Sequence, residues 1–255
     1  MNSKQAEVKY TFITGASAGI GKALAHKFAS QGHNLMLTAR RIELLALLKE
    51  ELIKEYPIEV ILLPADLGNT EDIEKLYNDT RDYGIEVFIN NAGLGDYSYS
   101  WDLDIAKAGS MIDVNIKALT VLSLKFIQDY VDKDSTLINV SSGGGYFVLN
   151  KAVTYCATKF FVSSFTEGVA QNLQHQNKPL RVKVLAPGGT NTEFVSIAEH
   201  EAGFKGAEIF DVSAFISADL LSEYAYQLYK SDKIVGIVRN GNEFELRDPI
   251  FPYGG

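Results

Sequence analysis

Two side chains four residues apart could move a proton: Tyr155 and Lys159, in the stretch YCATK. On a helix, positions i and i+4 share a face, so the ammonium would reach the surroundings of the phenol. A neighbouring cation favours the phenolate and lowers a pKa that starts near about 10, which would ready Tyr155 to give or take a proton near neutral pH. The competing reading is a chance pair on a surface helix. A second stretch, TGASAGIG (Thr14 to Gly21), joins a strand-like run to a helical one. A glycine turn there lets backbone pack against a diphosphate, while the helix N-terminus supplies free N–H groups. Gly15, Gly19 and Gly21 are spaced G-x-x-x-G-x-G.

The elements that must position these groups follow from hydrophobic patterning. Short continuous apolar runs are expected as strands at 8–14, 33–38, 59–64, 85–90, 136–141, 181–186 and 234–238. Continuous rather than alternating runs suit strands covered on both faces by helices. Between them, segments 22–32, 43–56, 70–83, 111–131, 155–176 and 213–230 carry apolar residues at helical spacing. Gly32 follows the first, and Asn69 and Thr70 precede acidic first-turn residues of the third. The expectation is one α/β domain over 1–255, a doubly wound parallel sheet of about seven strands, with 190–211 as a mobile substrate flap. There is no repeat and no linker-like stretch.

Composition limits the classes. The chain of 255 residues is 46% hydrophobic and 22% charged, within the globular range. Its apolar runs stay well short of the roughly 18 residues of a membrane span. The start reads as lacking a secretory signal, so a cytoplasmic location is expected. A net charge of −8 argues against a nucleic-acid partner. Cys156 is the single cysteine, and the four His have no ligand spacing, so no disulfide and no metal site are expected. Beside Tyr155, Cys156 reads as a small packed residue rather than a reactive thiol.

With TGASAGIG at the first turn, NNAG (Asn90 to Gly93), SSGGG (from Ser141) and YCATK in this order, the chain resembles the short-chain dehydrogenase/reductase family along nearly its whole length. The resemblance implies a single Rossmann-like domain, a nicotinamide cofactor, and hydride exchange between an alcohol and a carbonyl. Carried over by motif, the catalytic set is Asn115, Ser142, Tyr155 and Lys159. Tyr155 would be the general acid/base, Lys159 would acidify it and hold the nicotinamide ribose, and Ser142 would hold the substrate oxygen. Asn115 would keep a water against Lys159; its alternative is a polar residue that kinks or caps a helix.

The same resemblance puts the cofactor on Gly15, Ser17, Ala18, Gly19, Ile20 and Gly21 in the first turn. Asp66 and Leu67 would lie along the adenine. Asn90 would stabilise the central sheet beside the small Ala92 and Gly93, and Pro187, Gly188, Thr190 and Thr192 would meet carboxamide and diphosphate. Thr190 departs from the apolar residue common there. At the end of the second strand Ala39 replaces the acidic residue that binds the ribose of NAD, and Arg40 and Arg41 follow. Guanidinium pairs with a 2′-phosphate, so NADP(H) is expected, with Arg40 at the family's phosphate position and Ser17 assisting. The alternative is two solvated charges opening a helix.

Substrate-pocket candidates are Leu94, Tyr97, Tyr99, Gly143, Tyr146, Gly189, Phe194 and Phe204, which favour an apolar or aromatic small-molecule carbonyl or alcohol. Amphipathic segments 102–130 and 155–176 resemble the family's subunit-pairing helices, implying a homodimer or homotetramer. Two other readings stay open: a non-catalytic NADP(H)-binding sensor or scaffold, and a dehydratase or epimerase on the same scaffold.

Overall fold

Residues on β1 (Lys9–Thr14) alternate between two cores, Phe12 on one side and Ile13 on the other, and both are fully buried. The same alternation runs across the neighbouring strands: Met36, Phe88, Leu137 and Val184 join Phe12, while Leu37, Ile89, Ile138 and Leu185 join Ile13. A strand apolar on both faces needs a cover on both, which explains the continuous runs. The structure, a computed structural model, describes residues 9–194, 198, 212–239 and 243–254.

The strands are β1, β2 (Asn34–Thr38), β3 (Val60–Leu62), β4 (Gly84–Asn90), β5 (Thr136–Val140), β6 (Arg181–Ala186), β7 (Thr190–Asn191), β8 (Ile216–Ser217), β9 (Val235–Arg239) and β10 (Glu243–Arg247). The main sheet has eight strands in the order β10-β9-β6-β5-β4-β1-β2-β3, parallel except for β10, and β7 pairs with β8. Helices α1 (Gly19–Ser30), α2 (Ile42–Glu55) and α7 (Ala218–Lys230) cover the Ile13 face. Helices α3 (Thr70–Asp79), α5 (Leu119–Tyr130) and α6 (Val153–His175) cover the Phe12 face, while α4 (Ile105–Ile112) leads into α5 through a π-helical segment, Asp113–Ala118.

Two features place the site. The parallel register brings Thr14, Thr38, Asn90 and Val140 to one sheet edge. Asn90 and Asn139, directly paired across β4 and β5, bond each other at 3.0 Å; Asn90 also donates to Ser123 Oγ and Asn139 to Thr166 Oγ1. This buried network pins the central strands to α5 and α6, since each of its groups would be costly left alone.

Several expectations need correction. The main sheet has one more strand than expected: β10 alternates Phe244 and Leu246 with charged residues, as suits an antiparallel edge rather than a covered strand. The segment expected as one helix from 111 begins at Ile105 and widens at Asp113. The last helix starts at Ala218, not at 213, because Ile216 pairs with Thr190 and the Ser217 hydroxyl caps Leu220 N. Most of the expected flap, including Phe204, lies outside the described residues.

Candidate active site

The glycine turn between β1 and α1 is shaped by contacts that a side chain would close. Gly15 and Gly19 have φ of +66° and +53°, in the left-handed region glycine tolerates. A Cβ on Gly21 would stand 2.1 Å from the Gly15 carbonyl oxygen. Ala18, at the N-cap of α1, offers no side-chain acceptor, so the first-turn N–H groups are left to a ligand or solvent. The second wall is NNAG: Asn91 Nδ2 donates to the Thr14 and Gly15 carbonyls at 2.9 and 3.3 Å, and Thr14 Oγ1 accepts from Asn91 N and Ala92 N. Thr14 and Asn91 were not singled out from sequence, although both lie inside motif strings. Asn90 faces the buried network instead. These features fit a diphosphate laid on the turn.

Beside this wall stand the four candidate catalytic residues. Ser142 caps the tight turn Gly143–Gly145, its Oγ accepting from Gly144 N at 3.1 Å, and it stands close enough to the Tyr155 phenol to favour its ionised form. Tyr155 and Lys159 fall on the first turns of α6, with Nζ 5.8 Å from the ring centroid and donating to the Val140 carbonyl at 3.0 Å. A Cβ on Gly93 would lie 3.3 Å from Asn115 Oδ1 and 3.4 Å from Lys159 Nζ, so glycine there leaves a gap between the two. Asn115 sits in the π-helical segment; its Oδ1 accepts from Leu94 N, and its Nδ2 donates to Leu94 O and Thr158 Oγ1. The expected water-holding amide thus clamps the loop after β4 onto α6. Single π turns inside α-helices recur at functional sites. Cys156 is buried against Gly144 and its thiol is pushed up by burial, as suits a packed residue.

The electrostatics depart from expectation in one respect. Tyr155 is pushed up to about 12, chiefly by burial, with the nearby Ser142 hydroxyl opposing, and Lys159 is pulled down to about 8 by burial. An ammonium that loses its proton first is already neutral when the phenol ionises, so it cannot acidify it. Spacing alone does not lower the Tyr155 pKa; Lys159 must also be kept charged by acceptors.

This order of titration has a measurable effect on stability. Lys159 has a folded value of about 8 against an ordinary 10.5, so between these the unfolded chain keeps the proton and the native chain does not. Its contribution to stability therefore rises with pH through that window, and the cost of the buried charge is fully present below about 8. Lys159→Met is expected to raise the melting midpoint at neutral pH by a few degrees, at about 2–4 °C per kcal/mol for this chain length, with the gain shrinking towards pH 10.5. Melting curves at several pH values check this. A lower midpoint at neutral pH would mean that the Val140 bond outweighs the burial cost.

At the adenosine end both arginines are exposed, and it is Arg41 that reaches the glycine turn: Nη2 donates to Ser17 Oγ at 3.3 Å, and the guanidinium pairs with Glu193. Leu67 is buried and Asp66 is exposed, its Oδ1 accepting from Gly68 N. Among the pocket candidates, Leu94, Tyr97 and Phe194 cluster with Tyr155, Leu149 and Met111. Gly143 N donates to Pro187 O, and Gly188 packs on Val238. Gly189 packs on the Phe215 ring, Tyr99 stacks on the exposed Trp101, and Thr190 Oγ1 donates to Gly188 O. Tyr146 is directed away: its hydroxyl donates to buried Glu167 and its ring stacks on Phe251, so it holds the C-terminal segment. Among the described residues no group of His, Cys, Asp and Glu could hold a metal ion, and no helix is long and apolar enough to cross a membrane.

Known proteins resemble this chain in sequence and in fold. The chain is 32% identical over 198 residues to human dehydrogenase/reductase SDR family member 11 (73% of this chain, 75% of that one). It is 33% identical over 189 residues to a sulfoacetaldehyde reductase of Chromohalobacter salexigens (73% and 74%). A short-chain dehydrogenase from Sphingobium yanoikuyae solved with NADPH superposes with a TM-score of 0.79 at 28% identity, covering 90% of this chain and 87% of that one. The short chain dehydrogenase model matches residues 9–202, and with it the chain belongs to that family of oxidoreductases.

Proposed function

We propose that this chain is an NADP(H)-dependent oxidoreductase that interconverts an alcohol and a carbonyl, with Tyr155 as general acid/base. The observation that carries the reading is the gathering of Ser142, Tyr155 and Lys159 beside the glycine turn at one sheet edge. When bound, the nicotinamide supplies or accepts the hydride. Tyr155 Oη gives its proton to the substrate oxygen in reduction and takes it back in oxidation. Ser142 Oγ holds that oxygen and Tyr155 in line. Lys159, charged below about pH 8, uses N–H donors beyond the Val140 bond for the ribose hydroxyls, and those acceptors help keep it charged. Asn115 fixes the loop at Leu94 against α6 and so holds the gap beside Gly93.

Gly15, Ser17, Ala18, Gly19, Ile20 and Gly21 would hold the diphosphate side, and Arg41 with Ser17, more than Arg40, the 2′-phosphate. Solved neighbours carry NADPH in one case and NAD in another, so the choice rests on Ala39 and Arg41. The apolar group of Leu94, Leu149 and Phe194 around Tyr155 favours an apolar or aromatic carbonyl. Exposed Ile112, Leu124 and Val153 on α4, α5 and α6 favour a homo-oligomer. The test is NADPH and NADH oxidation against aldehydes, ketones and vicinal dicarbonyls. Turnover with preference for NADPH is expected; tight NADPH binding with no turnover on any carbonyl class would instead support the non-catalytic reading.

A further inference from the structure

Three consecutive residues link the glycine turn, Arg41 and the surroundings of Tyr155. Thr192 lies over the glycine turn, its Cβ 3.1 Å from where a Cβ on Gly19 would stand. Glu193 takes both terminal nitrogens of Arg41, at 2.5 and 3.4 Å, while Arg41 Nη2 also reaches Ser17. Phe194 fills the hollow over Gly95, where a Cβ would stand 2.4 Å from its ring, and lies 5.8 Å from the Tyr155 ring. One short segment therefore contacts the diphosphate turn, the arginine read as the phosphate ligand, and the phenol read as the acid.

The Arg41 fork is a two-point carboxylate clamp, and the N–H groups it spends on Glu193 are those a phosphate would take. Both side chains are partly exposed, 47% and 42%, so the pair is weak enough to exchange. Resting on the NADP(H) reading above, we propose that Glu193 competes with the cofactor's 2′-phosphate for Arg41 and so sets how strongly NADPH is preferred over NADH. A phosphate that takes Arg41 displaces the Glu193 carboxylate from it, next in the chain to Phe194 at the substrate end. A dinucleotide without the phosphate leaves the Arg41–Glu193 pair in place.

Dissociation constants for NADPH and NADH, by cofactor fluorescence, and for 2′-AMP, by displacement, distinguish the parts in the parent chain, Glu193→Gln, Arg41→Ala and the double variant. Glu193→Gln is expected to tighten NADPH and 2′-AMP about two- to fivefold, the range of an exposed ion pair, with NADH unchanged. Arg41→Ala is expected to weaken NADPH at least about tenfold, and in its background Glu193→Gln should gain nothing. If Arg41→Ala erases the NADPH preference but Glu193→Gln leaves NADPH unimproved, or tightens NADH equally, the competition is wrong while the cofactor reading stands. An NADPH preference untouched by Arg41→Ala removes both Arg41 and the competition.

Discussion

Tyr155→Phe is expected to lower kcat in both directions by about 10²–10⁴-fold while NADPH affinity and the melting curve stay close to those of the parent. The substitution deletes one oxygen. The ring, packed beside Phe194 and buried among Tyr97, Met111 and Cys156, keeps its contacts. Ser142 keeps its bond from Gly144 N, so the stability cost stays within about 1 kcal/mol. What disappears is the hydroxyl read as the proton donor to the substrate oxygen. The parent's pH profiles should carry the same signature. With a phenol near 12, Tyr155 is fully protonated at neutral pH, so reduction needs no prior ionisation and stays flat until Lys159 loses its charge, at about 8 or higher once the ribose hydroxyls accept from it. Oxidation needs the phenolate and rises with pH. Initial rates in both directions, with circular dichroism to verify folding, test this; a phenylalanine variant near parental rates would remove Tyr155 from the chemistry.

The parts of this design legible from sequence are those written in local pattern. Runs such as TFIT, MLT and FIN announce covered parallel strands because both faces must be apolar, and the glycine and NNAG strings announce a close backbone approach. Less legible was anything decided by a partner distant in sequence. β10 has its alternate side chains on an edge that exists only once β9 is in place. Tyr146 looks like a pocket residue beside the SSGGG turn, yet Glu167, 21 residues on, draws its hydroxyl away. One extra residue per turn at Asp113–Ala118 hardly disturbs helical periodicity, so the widening around Asn115 leaves no sequence mark. The choice between Arg40 and Arg41 depends on Glu193, 152 residues from Arg41. The spacing of Tyr155 and Lys159 gave their proximity, but the dielectric around them, which decides which proton leaves first, is a property of the packed whole.

Gly21→Ala tests the cradle independently of the chemistry. Its new methyl group would stand 2.1 Å from Gly15 O, 2.8 Å from Gly15 C and 2.7 Å from Asn91 Nδ2. Two of those atoms are backbone, and the third is the amide that ties the turn to β4, so none can step aside as a flexible side chain would. The turn and the start of α1 must separate, and Asn91 must release the Gly15 carbonyl. Overpacking of this kind costs about 1–3 kcal/mol, which lowers the melting midpoint by about 2–4 °C per kcal/mol at this length. The larger loss is in binding: N–H groups that converge on a diphosphate lose their aim when the turn shifts, and NADPH affinity is expected to fall by two orders of magnitude, about 3 kcal/mol. Gly32→Ala is the matched control. Gly32 has φ +81° but nothing within 4 Å of its would-be Cβ, so it carries backbone strain without a clash and sits at the far end of α1. It should lower the midpoint by a comparable amount and leave the NADPH dissociation constant unchanged. If both variants lose affinity alike, general softening of α1 explains the loss; if neither does, the diphosphate does not rest on this turn.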